Sequence, residues 1–593
     1  MTLPPVDTDL QGRGTRSSRV FWALALLVLA AAPFWVYSNS LDSPFVGDDI
    51  EYIERNPDIR MSPFPGYLAK LRPLNKLTYW LQMKLHKGYM PGYHLVNISL
   101  HVLASLLLFF LLKKLLERFG PQDRPRQETS SAIPALAGAL LFALHPIQTQ
   151  AVNYTFARSE LLCAVFLFSA MIVHCAKDAR RYGFGRAMAV GFMLFLALAS
   201  KERAFMFVPC LILFDMVVRK QDTWAERNYR WYRLVLPISL VVIAGLINFY
   251  IGFHDQHKGA IGKGQEVPEF LPYFWTEMVV RFHYLKLYIW PRDLSFDYHF
   301  TLREHLSDKV LLAAVAGHVI GLAGTLLIAR KNGLVAFGIF WFFLFLLPTS
   351  GVAPAVLLMH EHWVYIPSLG IFLIAAVLLQ RLFVRLEAPV ARRTAMAGFA
   401  GLCILLGFLS HQRNKVWQEP LTLWLDASEH ASERAWVWNH IGAAYVDRKE
   451  YDKALEALNK AEEIGEPTGA TRQCIGLCLM NQGDLEGAKK CMEEAVKLCP
   501  DRPEILYGLA NLYKKMDKPQ AAFNYYIKTM KAGWSTPELY LEMVRHALSN
   551  NEPDKARKLL NEGLKLFSDN EELLKLKKEL NEADHDPSVT GGA

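Results

Sequence analysis

Cysteine is scarce in this sequence, 8 among 593 residues, and the few present do not lay out a metal frame. Cys163, Cys175, Cys210 and Cys403 lie inside apolar runs, where a thiol serves as a small core residue. Cys474, Cys478, Cys491 and Cys499 share one short segment whose spacing matches no common zinc template. Cys474 and Cys478 stand one helical turn apart, a poor geometry for a bridge. They read first as small buried residues. A pairing between two helices is the other reading and would need an oxidising compartment. Other absences exclude more. The first apolar run, Val20–Ser38, follows Arg13, Arg16 and Arg19 but is long for a signal core and has no convincing cleavage site, so it is expected to stay as a helix. No internal inverted repeat is visible and most runs lack paired charges at mid-depth, both of which argue against a transporter. The net charge of +8 is not spread as a nucleic-acid face; Lys and Arg gather in short loops between apolar runs.

What is present is divided. The 52% hydrophobic content comes almost wholly from residues 19–412, and the chain from about residue 413 is charged and helix-friendly. A membrane half and a soluble half follow. The expected fold class is all-α: a polytopic helical membrane body of about eleven spans, then an α-solenoid. The spans fall near 20–38, 94–116, 132–150, 160–176, 187–200, 204–219, 234–252, 309–329, 334–349, 363–384 and 394–411. Basic clusters at Arg13–Arg19, Lys113–Arg126, Lys177–Arg186, Arg219–Arg233, Arg330–Lys331 and Arg392–Arg393 alternate with basic-poor loops. The positive-inside rule puts those clusters in the cytoplasm, with the N-terminus inside and the C-terminus outside. The aromatic-rich segment Glu269–Phe300 carries Glu277, Arg281, His283 and Lys286 and fits an interfacial or re-entrant helix better than a span.

The soluble half repeats every 34 residues. Gly442, Gly476, Ala510 and Val544 share one register, and Ala454, Ala488, Ala522 and Ala556 share another. This is the tetratricopeptide pattern of small residues where paired helices cross. The expected organisation is a cytoplasmic N-terminus at 1–19, a membrane domain at 20–412 with a first outer loop at 39–93, and a linker at 413–434. Four repeats at 435–568, a capping helix at 569–582 and a disordered tail at 583–593 complete it.

Chemistry concentrates where packing does not ask for charge. Asp48 and Asp49 follow the first span, on the outer face by the orientation above, where no nucleotide-sugar pool is available and an activated lipid-linked donor would serve. They could simply start a short helix. The functional reading makes one carboxylate the general base toward an acceptor hydroxyl, its neighbour raising its pKa, holding a divalent metal or orienting substrate. His145, Arg158, Glu160, Lys201, Glu202, Arg203, His360, Glu361 and His362 sit at or inside span ends, where ionisable groups line polar cavities or pair with one another. Cations there suit a lipid phosphate leaving group. Arg72 belongs to the first outer loop.

An ordered set of motifs resembles a known family. Asp48-Asp49, Arg72-Pro73-Leu74, Gly92-Tyr93-His94-Leu95-Val96-Asn97 and His145-Pro146-Ile147-Gln148-Thr149-Gln150-Ala151-Val152 come first. Arg158-Ser159-Glu160-Leu161, Ser200-Lys201-Glu202 and Glu361-His362-Trp363-Val364-Tyr365-Ile366-Pro367-Ser368 follow, with Trp417 and Leu423-Trp424 leading into the repeats. Over about residues 20–570 the chain resembles the transmembrane-and-tetratricopeptide-repeat O-mannosyltransferases and their bacterial relatives. The resemblance implies a GT-C membrane glycosyltransferase fold, a polyprenyl- or dolichyl-phosphate sugar donor, a catalytic Asp in the first outer loop, and inversion at the anomeric carbon. It maps Asp48 and Asp49 onto the acidic pair, and Arg158, Lys201, Glu202 and Glu361 onto polar site residues. Gln148-Thr149-Gln150 stands where the family's eukaryotic members tend toward His-Thr-Glu, and Glu361-His362 stands where the family pattern has Glu-Arg.

The expected function is therefore transfer of a sugar, with mannose one option, from a polyprenyl-phosphate donor to a hydroxyl of an extracytoplasmic acceptor, protein Ser/Thr presented by the repeats. Asp48 is taken as base and Asp49 as contact for a partner group. Donor phosphate or sugar contacts are expected from Arg72, His145, Arg158, Glu160, Lys201, Glu202, His360, Glu361, His362 and Tyr365. The lipid-linked sugar donor is the one co-substrate expected; no cofactor is assigned beyond it, and a divalent metal stays open. Expected partners are the bilayer, the polyprenyl-phosphate sugar and a protein or peptide acceptor, with no nucleic acid. The setting is a bacterial inner membrane with periplasmic repeats, or an endoplasmic reticulum membrane with lumenal repeats in a eukaryote. The rival readings are a membrane-tethered scaffold without catalysis and an oligosaccharide ligase or polymerase of the envelope.

Overall fold

The structure is a computed structural model, and it describes residues 8–56, 59, 72–86, 89–120, 129–176, 184–219, 239, 243, 269–305, 307–349 and 357–583. Helices and helical turns carry the described residues; no strand occurs among them. Two compact units divide the chain at residues 431 and 432.

In the first unit, among the described residues, six helices are long and apolar enough to cross a membrane: Arg19–Ser40, Met90–Phe119, Thr155–His174, Lys309–Lys331, Ser368–Arg385 and Pro389–Gln418. A seventh crossing is broken: Ser131–Leu144 and Pro146–Asn153 meet at 53°. Three further expected spans are shorter helices, Phe184–Ser200, Gly333–Thr349 and Phe207–Val217. The expected span at 234–252 lies outside the described residues. Phe270–Ile289 is a helix and is not among those that pass as spans.

The apolar exposure fits a bilayer as solvent. Val319, Ile320 and Ile404 are 64%, 71% and 72% exposed on their helices, a surface that lipid tolerates and water does not. Inside, two helices touch backbone to backbone where Gly338 meets Gly370: a Cβ on Gly370 would lie 2.2 Å from the Gly338 carbonyl oxygen. Without a hydrophobic drive between helices in lipid, such close approach supplies the packing. A few helix starts in this unit are closed by side chains, Asp308 and Asn332 among them. Asp308 Oδ1 accepts from the Val310 and Leu311 amides at 2.7 and 3.2 Å. The last span is tied to the first by Asn414, whose Nδ2 donates to the Val36 carbonyl at 2.8 Å, and to the bent span by Ser410, which donates to the Leu144 carbonyl at 2.7 Å. The stretch expected as a linker at 413–434 carries a helix, Pro420–His430, whose Leu421, Leu423, Trp424 and Ala427 are buried in this unit.

The second unit pairs helices Ala435–Asp447 with Tyr451–Ile464, Gly469–Gln482 with Leu485–Leu498, Pro503–Lys515 with Pro519–Lys531, and Pro537–Ser549 with Pro553–Leu566. Glu571–Ala583 follows, and the expected disordered tail lies almost wholly outside the described residues. The small residues sit where the pairs cross. A Cβ on Gly442 would meet Leu458 Cγ at 2.5 Å, and one on Gly476 would meet Met492 Cγ at 2.7 Å, the same offset one repeat on. A second periodicity appears only in the backbone. Lys449, Gly483, Asp517 and Asn551 have φ of 62°, 95°, 56° and 61°, each 34 residues after the last, at the turn between paired helices. A left-handed residue ends the helix there. All eight cysteines are free.

Candidate functional site

The loop after the first span is pinned at several points. The Ser43 carbonyl accepts from His94 Nε2 at 2.8 Å, and Phe45 packs edge-on against Tyr93. Gly47 has φ +54°, and a Cβ there would lie 3.2 Å from Phe296 Cζ and 3.3 Å from the Tyr154 hydroxyl, so backbone and space both require glycine. Beyond it the two aspartates diverge. Asp49 is 1% exposed; its Oδ1 accepts from the Phe156 amide at 2.6 Å and its Oδ2 from the Val46 amide at 3.3 Å. It caps no helix, since the turn Ile50–Glu54 receives no side-chain bond from it. Asp49 is a clasp between the loop and the turn at 154–157. Asp48 is exposed. Its amide donates to the Tyr154 hydroxyl at 3.0 Å. Desolvation raises the Asp48 carboxyl above the ordinary range, opposed by the Tyr154 hydroxyl and by the charges of Arg72 and Lys201.

Those cations belong to a network. Arg72, with φ +53° immediately before Pro73, holds a conformation that an L-residue ahead of proline adopts only under strain. Its guanidinium grips Glu202 with two bonds of 2.8 and 2.6 Å. Burial opposes ionisation of Glu202, but Arg72 and Lys201 overcome it and hold the carboxyl well below its usual value. Glu160, fully buried, pairs with Lys201 Nζ at 3.2 Å and Arg203 Nη1 at 3.5 Å. Arg203 also donates to the Trp363 carbonyl at 2.9 Å. His362 stands beside this group, its ring 5.0 Å from His360 and 5.9 Å from Tyr154. The structure thus brings together Asp48, Arg72, Glu160, Lys201, Glu202, His360 and His362, with Arg203 and Tyr154 added.

Four expected contacts are turned to other work. Arg158 is sealed: Nε donates to Asn97 Oδ1 at 2.7 Å, Nη1 to Thr78 Oγ1 at 3.2 Å and to Gln82 Oε1, and Nη2 to the Tyr93 carbonyl at 3.1 Å. With each guanidinium nitrogen engaged and Tyr79 and Tyr93 against it, it braces the segment between the first two spans. His145 Nδ1 accepts from the Ile147 amide and Nε2 donates to the Tyr288 carbonyl, so it caps the break in the bent span. Tyr365 donates to His101 Nδ1 at 2.8 Å inside the apolar core. Glu361 accepts from the Ser295 amide and the Tyr298 hydroxyl, both at 2.6 Å. Burial pushes its carboxyl up to about 7.

Sequence reasoning passed over Tyr154, Gln150 as a site residue, and Phe296. Phe296 packs on Trp417, Trp424, Tyr154 and His360 beside Gly47. No sequence signal marks Phe296, which arrives from a loop almost 250 residues away. Among the described residues no three His, Cys, Asp or Glu side chains cluster to hold a metal, and Asp48 and Asp49 do not point together.

The comparisons accord with this architecture. The tetratricopeptide repeat family model matches residues 437–464, and a second TPR repeat model matches 476–517. Protein O-mannosyl-transferase F38B6.6 of Caenorhabditis elegans is 26% identical over 474 residues, covering 75% of this chain and 62% of the relative. Protein O-mannosyl-transferase TMTC3 of Mus musculus is 22% identical over 619 residues, covering 93% of this chain and 65% of the relative. TMTC4 of the same organism is 24% identical, covering 76% and 68%. The chain therefore spans less than two thirds of the first two relatives. Among solved structures, the TPR protein YrrB is 19% identical and covers 30% of this chain and 89% of its own, with a TM-score of 0.23, too low to bear on the fold. Over most of its length the chain is similar, at 22–26% identity, to proteins named protein O-mannosyl-transferases, TMTC3 and TMTC4 among them, and its C-terminal part matches tetratricopeptide repeat models.

Proposed function

We propose that this protein is an integral-membrane glycosyltransferase that moves a sugar, mannose by the names of its relatives, from a polyprenyl-phosphate donor to a hydroxyl of a protein acceptor bound by the repeats. The observation that carries the reading is the solvent-accessible Asp48, its amide held by the Tyr154 hydroxyl at 3.0 Å, with the Arg72–Glu202 and Lys201–Glu160–Arg203 ion pairs within electrostatic reach, in a chain whose relatives are named O-mannosyl-transferases.

The chemistry follows from the charges. The acceptor oxygen attacks the anomeric carbon while Asp48 takes its proton, and the bond to the phosphate oxygen breaks on the opposite side, inverting the carbon. A base with a raised pKa takes that proton more readily near neutrality, the range in which general-base catalysis is most effective. Negative charge grows on the leaving phosphate. Lys201 and Arg203, buried and sharing the single carboxylate of Glu160, supply positive charge away from water, and the half-buried Arg72 adds to it. Asp49, with both oxygens engaged, holds the loop that carries Asp48. The setting we favour is a membrane whose outer or lumenal side receives the acceptor.

The test is purified protein with a short-chain polyprenyl-phosphate mannose and a Ser/Thr peptide acceptor. Asp48→Asn should cut turnover by about 10²–10⁴-fold with donor affinity preserved. Full turnover in Asp48→Asn would remove this mechanism.

A further inference from the structure

Within the cluster one side chain is held in a defined protonation form by a neighbour that the mechanism above does not use. Gln150 is fully buried. Its Nε2 donates to the Phe296 carbonyl at 3.0 Å, which fixes the amide: nitrogen toward Phe296, oxygen the other way. That oxygen, Oε1, lies 2.7 Å from the His362 amide nitrogen and 3.0 Å from His362 Nδ1. An amide oxygen only accepts, so Nδ1 carries the hydrogen. A neutral imidazole carries one hydrogen on nitrogen, and Nε2 is left with the lone pair.

The surroundings keep it so. Facing the ring are the imidazole of His360, the indole of Trp363 and the phenol of Tyr154. The charges nearby are Lys201, Arg203 and Arg72, with burial and His360 acting in the same direction against a second proton. Their counter-charges, Glu160 and Glu202, are engaged with those cations, and Asp48 lies across Tyr154. Nε2 makes no hydrogen bond to a described residue and is not among the side-chain atoms sealed without a partner. It is an open acceptor beside a set of donors.

We propose that Gln150 is a positioning residue that fixes His362 as the Nδ1–H tautomer, so that His362 Nε2 accepts a hydrogen bond from a hydroxyl of the donor sugar. The inference rests on the glycosyltransferase reading for the identity of that hydroxyl. The cations recognise phosphate, which has no hydrogen to give; a lone-pair nitrogen among them recognises the part of the donor that does. Discrimination between a glycosylated and a bare lipid phosphate then resides at His362. Gln150 secures it without a charge, because a carboxylate at the same place would draw a second proton onto the ring and convert the acceptor into a donor.

The experiment uses the full chain labelled with ¹⁵N-histidine in lipid nanodiscs, with the His362 resonance assigned by its loss in His362→Gln. The expected long-range ¹H–¹⁵N spectrum shows Nδ1 protonated and Nε2 bare from about pH 5 to 8, with no titration at the ordinary value of about 6.5. Adding short-chain polyprenyl-phosphate mannose should shift Nε2, and adding the polyprenyl phosphate alone should not. Gln150→Glu should give an imidazolium at neutral pH, raise the KM for donor about tenfold, as for one lost hydrogen bond, and recover as pH rises through the new ionisation. If Gln150→Glu does not fold, His362→Gln, which keeps an acceptor, should hold donor affinity within about threefold while His362→Leu loses about tenfold. An Nε2–H tautomer in the parent, titration near 6.5, or an equal response to bare lipid phosphate would overturn the proposal. Absence of sugar transfer by the parent protein would instead count against the catalytic reading, since the spectra are read without turnover.

Discussion

Glu361 gives the protein a stability that depends on pH in the opposite sense from most carboxylates, and Glu361→Gln isolates it. The side chain is 1% exposed, and desolvation raises its carboxyl from 4.5 to about 7, with Arg413 and the bonds from Tyr298 and Ser295 opposing. Between those two values the folded chain holds a proton that the unfolded chain has released. Its contribution to stability is therefore full below about pH 4.5 and lost as pH rises through about 7. At about 1.4 kcal/mol per pH unit, the difference amounts to roughly 3 kcal/mol.

Glutamine keeps the oxygen that accepts from Ser295 and Tyr298 and has no proton to lose. The variant should match the parent at acid pH and exceed it above neutrality. The buried thiols Cys163, Cys175 and Cys210 offer the assay: a thiol-reactive fluorophore reports unfolding on heating, at a series of pH values from about 5 to 8. The parent's midpoint should fall relative to that of Glu361→Gln across this range, the gap opening by a few degrees. A constant gap at every pH would show that Glu361 is already ionised in the folded protein, and the argument from burial would fail. The site would register the same event, because the Ser295–Tyr298 loop that Glu361 holds also carries Phe296 against Gly47.

Asp49→Asn should separate from Asp48→Asn by stability. The amide offers one oxygen to two backbone donors, stranding a buried N–H at a cost of about 1–3 kcal/mol, so Asp49→Asn lowers the unfolding midpoint whereas Asp48→Asn leaves it in place; equal midpoints would refute the clasp. In the repeats, Lys449→Gly relieves a left-handed residue with φ 62° and should stabilise the second unit by about 1 kcal/mol, read as slower proteolysis of the repeats; a lower midpoint would show that the Lys449 side chain matters more than its backbone.

The parts of this molecule legible in the sequence are those governed by period. Apolar runs of span length locate helices because the bilayer dictates their length, and Ala454, Ala488, Ala522 and Ala556 locate the repeats because helix crossings tolerate only small side chains. The turn positions escaped that reading, since a left-handed backbone accepts Lys449, Asp517 and Asn551 as well as Gly483, and only the φ values reveal the shared geometry. The site divides in the same way. Charge beside a span marks Asp48, Asp49, Arg158, Lys201 and Glu361 alike as costly, but cost alone does not say whether a group is engaged or open. That depends on partners distant in the chain: Asn97 and Gln82 for Arg158, Ser295 and Tyr298 for Glu361, Phe156 for Asp49. Adjacent residues in a turn must diverge, so one aspartate was bound to face inward. Gly47 decides which, because its left-handed φ beneath Phe296 turns Asp49 into the protein and leaves Asp48 outside, next to the cations. A residue with no charge and no period thereby assigns the role of two that have both.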